Sequence, residues 1–342
     1  MNKNIKKIAK FLLFAVLFLS IYTYTRDVLR NKFENEALGI IMNKPNNSYD
    51  VILAGPSHMQ NALQPAQLFG EYGIVSCNTA TSAQSVPTTY YVLKEMVARH
   101  SPKLIVLDLF CVFLPENFFT STRFHQAIDN FPLSINKSEA IMDLADTSKS
   151  EYFINYLLYH SRWKELTKSD YTVHDEFNET YQFHALAYPY PAPFIPVYEK
   201  APIPEVTHKY LEKIVDLCKE NEIELLLTVI PYRADIDNND TSAVLQQQMY
   251  NYVEDLAKEW EVDYFNGLHH LDEIGFDFTT DMIEWSHVNA SGTEKLSTYY
   301  GKMIKENYDI PDRSEEQKYS EWHEDYQEYK VKLEEAKNMT IQ

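Results

Sequence analysis

A serine at position 57 and a histidine at position 287 are the residues of this chain whose type and surroundings suit nucleophilic chemistry. Ser57 stands in "VILAGPSHMQ", after an apolar Val-Ile-Leu run and an Ala-Gly-Pro that ends it. The run reads as a buried strand, so the chain must turn at Ser57. At such a turn the first N–H groups of the next segment are unpaired and can receive an oxyanion. A serine that caps a helix has the same surroundings, so this stretch leaves catalysis and capping both open. His287 lies in "DFTTDMIEWSHVNASG", downstream of Asp281 and Glu284. Acyl transfer by serine needs a base to take the hydroxyl proton and a carboxylate to fix that base in the right tautomer. Glu284 can reach back to Nδ1 of His287 and leave Nε2 for the serine, and Asp281 is a competing orienter.

Five apolar runs, at 50–55, 73–78, 103–110, 223–230 and 262–266, suit the buried strands that must bring these residues together. Amphipathic helical patterns separate them, with Leu211, Ile214, Val215 and Cys218 on one face of 206–221. Over 244–260, Leu245, Met249, Val253, Leu256 and Trp260 repeat the pattern. Continuous apolar strands alternating with such helices predict an α/β, doubly wound, five-stranded parallel sheet. Ser57 then lies at the carboxyl end of the first strand and His287 beyond that of the fifth, on the one edge where open sheets of this kind bind ligands. The alternation breaks between about 115 and 205, read as a largely helical insertion closed by a proline-rich extended loop. It is either a lid or substrate wall, or a surface elaboration. Beyond about 311 a charged helical tail follows, with Tyr319, Trp322, Tyr326 and Tyr329 as a possible docking stripe.

At the N-terminus, Lys3, Lys6, Lys7 and Lys10 precede the apolar segment "FLLFAVLFLSIYTY". The pattern fits a secretory signal or a membrane anchor, and the absence of a small-x-small cleavage site favours an anchor over 11–25. The basic segment 1–10 is then cytoplasmic, 26–48 is a polar connector, and the domain over 49–311 lies outside. The 342 residues carry 31 Lys plus Arg against 50 Asp plus Glu, a net charge of -19, which argues against nucleic acid as a partner. Twenty-five Tyr and eighteen Phe suit a well-filled core and leave room for stacking on a carbohydrate. Cys77, Cys111 and Cys218 are too scattered for a disulfide framework and read as buried thiols. His269, His270, Asp272 and His287 have metal-ligand chemistry, and Asp235, Asp237 and Asp240 could suit calcium. Neither set has a recognised ligand spacing, so no metal and no cofactor is expected.

Four stretches carry a resemblance: "ILAGPSH", "NTATSAQS", "KLIVLDLF" and "DFTTDMIEWSHVNASG". Together they resemble the SGNH (GDSL-type) hydrolase superfamily, whose fold is flavodoxin-like, and especially its membrane-anchored, DltD-like branch. The resemblance implies Ser57 as nucleophile, His287 as base and Glu284 at the acid position. It also implies an acylated envelope polymer as substrate and a membrane-bound O-acyltransferase as partner. Two departures stand out: Glu284 where the family usually has Asp, and "DLFCVFLPEN" in place of its G-x-N-D block. With that block absent, the oxyanion or substrate candidates are the Ser57 N–H, Asn78, Ser82 and Gln84. His58, often His in this branch, either contacts substrate or caps the turn. A non-catalytic envelope protein that binds glycan or assembles a membrane complex is the alternative.

Overall fold

The computed structural model describes residues 3–29, 36–114, 121–145, 148–154, 156–171, 195–233 and 241–338. Helix α1 (Lys3–Leu29) opens the chain and α2 (Glu36–Asn43) follows. Strand β1 (Val51–Ala54) leads through α3 (Ser57–Ala62) and α4 (Pro65–Tyr72) to β2 (Ser76–Asn78), and α5 (Val86–His100) leads to β3 (Leu104–Asp108). Four helices come next: α6 (Ser121–Ile128), α7 (Ile135–Leu144), α8 (Lys149–Phe153) and α9 (Tyr156–Tyr159). The alternation then resumes with α10 (Glu205–Glu220), β4 (Glu224–Val229), α11 (Thr241–Trp260) and β5 (Asp263–Asn266). The chain closes through α12 (Leu271–Ile274), α13 (Ala290–Asn307) and α14 (Ser320–Asn338).

The five strands form one parallel sheet in the order β2-β1-β3-β4-β5. All five expected strands are present, each trimmed at one end or both. Val51, Ile52, Leu53 and Leu104 to Val106 are fully buried, because a central parallel strand is covered on both faces. Burial of each such side chain is worth about 1.5–3 kcal/mol. From β1 the chain first steps outward to β2, then returns past β1 to β3. This reversal, with right-handed crossovers, sends α4 and α13 to one face and α5 and α10 to the other. It also makes the edge between β1 and β3 the switch point, where open sheets of this kind form their crevice.

Gly55 makes that crevice tight. Its φ of +138° is closed to L side chains, and a Cβ there would lie 3.1 Å from Cβ of Asp108. Glycine thus lets the loop after β1 lie directly on the end of β3.

Three boundaries differ from the sequence reading. The N-terminal helix runs over Lys3–Leu29, beyond the expected 11–25, since neither Lys10 nor Thr25 interrupts a helix in progress. Part of the expected polar connector is core: Leu38, Ile41 and Met42 of α2 are buried in the main hydrophobic cluster. The aromatic stripe of the tail docks on the domain itself. Tyr329 is buried and donates to Gln67 Oε1 at 2.6 Å, Trp322 packs 5.3 Å from Phe69, and Tyr326 lies where a Cβ on Gly70 would go. Within the expected insertion, Tyr91 of α5 and Tyr210 of α10 both donate to Asp143 of α7, tying that helix to the sheet's flank. The prolines at 189, 191 and 193 lie outside the described residues.

Candidate active site

Ser57 begins α3 directly after the Gly55-Pro56 turn, and Pro56 offers no side-chain cap. Serine here is therefore the first helical residue, not the cap, which resolves the ambiguity left by the sequence. Its hydroxyl is free of capping duty and meets His287 Nε2 at 2.7 Å. On the other side of the ring, Nδ1 is hydrogen-bonded to Glu284 Oε1. That bond assigns the proton to Nδ1 and leaves Nε2 to accept from the serine hydroxyl.

The local fold of 281–289 explains the pairing. Met282 and Val288 form an antiparallel bridge, Ile283 N donates to His287 O at 2.9 Å, and Asn289 N donates to Asp281 O at 2.9 Å. The loop is pinched at its base, so Glu284 and His287 face each other at its tip. Ser286 adds two donors to Glu284, from N to Oε2 at 3.0 Å and from Oγ to Oε1 at 2.7 Å. Burial alone would raise the Glu284 pKa; the hydrogen bonds from His287 and Ser286 outweigh it and hold the carboxyl down at about 2. It is therefore a charged acceptor throughout the physiological range. The longer side chain of glutamate does not loosen the contact, because the pinched loop brings the carboxylate to the ring.

Asp281, the competing orienter in the sequence, does not reach His287. It sits at the base of the loop, fully buried, with Oδ2 accepting from Lys295 Nζ and from Asp277 N at 2.7 Å each. Its Oδ1 accepts from Ser291 Oγ at 2.8 Å. These bonds fasten the loop to the start of α13, whose Gly292 would place a Cβ 2.3 Å from Asp281 O.

The oxyanion candidates divide. Asn78 Nδ2 donates to Met59 O and Leu63 O, both at 3.0 Å, so its donors brace the backbone at the end of α3. Gln84 Nε2 is likewise spent on Thr79 O and Thr81 Oγ1. Both amides are structural. Ser82 is half-buried, makes no side-chain hydrogen bond among the described residues, and precedes Ala83, whose φ of +48° shows a strained turn. The remaining donors are backbone N–H groups at the start of α3, which have no intrahelical acceptor.

His58 does not cap. It is 2% exposed, and neither ring nitrogen has a hydrogen-bond partner among the described residues. The ring centroid lies 3.3 Å from that of Phe110 and 5.2 Å from that of His287. Desolvation first, and the neighbouring His287 second, push its pKa well below the usual histidine value, so it is neutral. It is a neutral imidazole beside the serine, with both nitrogens shielded from solvent.

Several residues near the site went unremarked in the sequence. Asp108 ends β3 beneath Gly55; Oδ1 accepts from Ile230 N at 3.1 Å, and Oδ2 is buried with no partner among the described residues. Burial pushes its pKa up to about 7, against hydrogen bonds from Ile230, Phe110 and Leu109 that lower it. Phe110, Tyr232 and Trp285 form an aromatic wall beside His58, with Tyr232 5.1 Å and Trp285 6.2 Å from Phe110 between ring centroids. Trp285, next to Glu284, is 56% exposed. The only sequence signal for Asp108 was a charge inside an apolar strand. Among the described residues no three His, Cys, Asp or Glu side chains gather as a metal site. His270 pairs with Glu273 instead, and Asp235, Asp237 and Asp240 lie outside the described residues.

Known proteins were compared by sequence and by shape. No family model matches the sequence, and no curated protein does. Among similar solved structures is a Bacteroides fragilis protein proposed to be an acylhydrolase, 11% identical, with a TM-score of 0.38 over 78% of this chain and 92% of that one. At that score the likeness carries no argument about this chain. It lends nothing to the chemistry, which stands on the residues themselves.

Proposed function

We propose that the chain is a membrane-anchored serine esterase or O-acyltransferase, of the kind its SGNH-like motifs imply. The reading rests above all on one observation: the unbroken hydrogen-bond chain from Ser57 Oγ through both His287 nitrogens to Glu284. Ser57 attacks the carbonyl carbon of an acyl ester while His287 Nε2 takes the hydroxyl proton, and the tetrahedral oxyanion is held by N–H groups at the start of α3. His287 returns the proton to the departing alcohol, leaving an acyl-serine. A second hydroxyl, from water or from an acceptor, gives its proton to His287 and attacks that ester; His287 then passes the proton to Ser57 Oγ as the acyl–Oγ bond breaks, releasing the acid or the new ester and restoring Ser57. Glu284 stabilises the imidazolium at both steps. His58 and the aromatic wall border the acyl or alcohol part of the substrate.

The substrate class that fits the resemblance is an O-acyl group on an envelope polysaccharide or a teichoic-acid-type polymer. A membrane-bound O-acyltransferase is the corresponding acyl donor. Helix α1 is long and apolar enough to span a membrane, with the basic Lys3 to Lys10 end inside and the domain outside the cell. A serine-directed fluorophosphonate probe tests the chemistry in the full chain. Labelling, and hydrolysis of an activated acetate ester, should fall by about 10³-fold or more in Ser57→Ala and His287→Ala. Equal labelling of Ser57→Ala and the native chain would refute the nucleophile, and a native chain inert in both assays would favour a glycan-binding or assembly role.

A further inference from the structure

The inserted helices are held against the end of α1 that faces outward when that helix spans a bilayer. The ring of Tyr22 meets that of Tyr156 at 5.9 Å between centroids, and Arg162 Nη1 donates to Leu29 O at 2.7 Å. Arg26 lies near enough to Lys137 of α7 for their charges to repel. These contacts begin where the apolar run of α1 ends, the depth at which Tyr and Trp concentrate in spanning helices.

On the same inserted segment, large apolar side chains face outward. Leu157 and Trp163 are 50% and 65% exposed, and Leu133 and Ile135 are 81% and 78% exposed. Phe153, between these two groups in the chain, shares the wall of one surface depression with Leu133 and Ile135. Phe153 of α8 thus joins Leu133 and Ile135 in one depression, and α9, which carries Leu157, packs against α1 through Tyr156. Soluble proteins seldom leave this many large apolar side chains in water along one segment. Its charge also differs from that of the whole: between 149 and 170, Arg162 is paired with Asp170 at 2.9 Å, and Lys149, Lys164 and Lys168 stand against Glu151 and Glu165, in a chain of net charge -19. Apolar and aromatic side chains with a basic fringe are the chemistry of a segment lying in the membrane interface.

We propose, on the reading that α1 crosses the bilayer, that the face carrying Leu133, Ile135, Phe153, Leu157 and Trp163 rests in the outer leaflet as a second, monotopic contact. Its direct continuity with the apolar flank of α1 makes lipid the occupant. A reporter test on the full chain in phosphatidylcholine vesicles with a minority of phosphatidylglycerol distinguishes lipid from water and from a covering protein. An environment-sensitive thiol dye is placed at Leu157→Cys, at Phe14→Cys within the span, and at Val331→Cys, exposed on α14. The native chain, whose three cysteines are buried, gives the background. Quenchers are lipids with a nitroxide near the headgroup or deep in the acyl chain, and aqueous iodide.

The expected result is deep quenching at Phe14→Cys, several-fold stronger headgroup-nitroxide quenching at Leu157→Cys than at Val331→Cys, and iodide quenching only at Val331→Cys. Iodide quenching at Leu157→Cys equal to that at Val331→Cys, with Phe14→Cys still in lipid, would overturn the second contact and leave the span intact. A Leu157→Cys dye shielded from lipid and iodide alike would mean that protein covers the face, which also overturns it. Iodide access at Phe14→Cys would defeat the span itself, and the surface contact with it.

Discussion

At the scale of single residues, the pair that sequence could find was the pair with distinctive neighbours. Ser57 followed a strand and a Gly-Pro turn, and His287 followed a carboxylate at turn spacing, so both were legible without knowing their distance. Asp108 and the aromatic wall were not, because an aspartate ending an apolar strand and scattered aromatic rings have ordinary structural explanations until the crevice brings them together. Asp108 has a measurable consequence of its own. With its carboxyl pushed up to about 7 from 3.8, the folded chain keeps a proton that the unfolded chain releases, so this residue lowers stability as pH rises through that interval and restores it as pH falls. Asp108→Asn removes the ionisation. Relative to the native chain it should gain on the order of 2–4 kcal/mol near pH 8, with the gain vanishing near pH 4. Thermal melts at the two pH values check this, and a pH-independent difference would count against it. At the other carboxylate, Glu284→Gln keeps the shape but loses the charge that favours the imidazolium, and should lower kcat by about 10²–10⁴-fold with KM little changed. Steady-state ester hydrolysis is the measurement.

Elements were read more surely than their ends. The five strands declared themselves as short apolar runs between amphipathic helices, whereas their order, β2-β1-β3-β4-β5, was not legible, because alternation does not say on which side of β1 each later strand joins. Which carboxylate met His287 was not legible, because it depends on the Met282–Val288 bridge, a contact with no marker in composition. That bridge separates Glu284 at the tip of the loop from Asp281 at its base. The base presses so closely on α13 that Gly292 has no room for a side chain. Gly292→Ala should therefore shift the loop, lowering stability by about 1–3 kcal/mol and kcat by more than that loss of folded chain explains. Denaturant unfolding beside ester hydrolysis under fully folded conditions separates the two effects. Unchanged turnover would mean that the loop does not depend on α13 for its position.

For the molecule as a whole, the sequence drew a connector and a tail where the structure has parts of one body. Charged helices such as α14 read as solvated until a partner surface is known, and here the partner is α4 of the same chain. The approach to that docking is fixed by Arg313, which donates from Nε and Nη2 to the two oxygens of Asp50 at 2.9 Å each, just before β1. Arg313→Ala leaves Asp50 without these charge-assisted bonds and should reduce stability by about 2–4 kcal/mol, read as a lower denaturant midpoint. Labelling of Ser57 at native pH should persist, since the clamp is at the opposite end of the strand. The chain order of the site has a further effect. The alcohol emerges early in synthesis, whereas its proton acceptor belongs to a loop fastened by a helix that is made much later. On the proposed chemistry, a ribosome-bound or prematurely terminated product is inert towards esters, and reactivity begins only when the two ends of the domain have met.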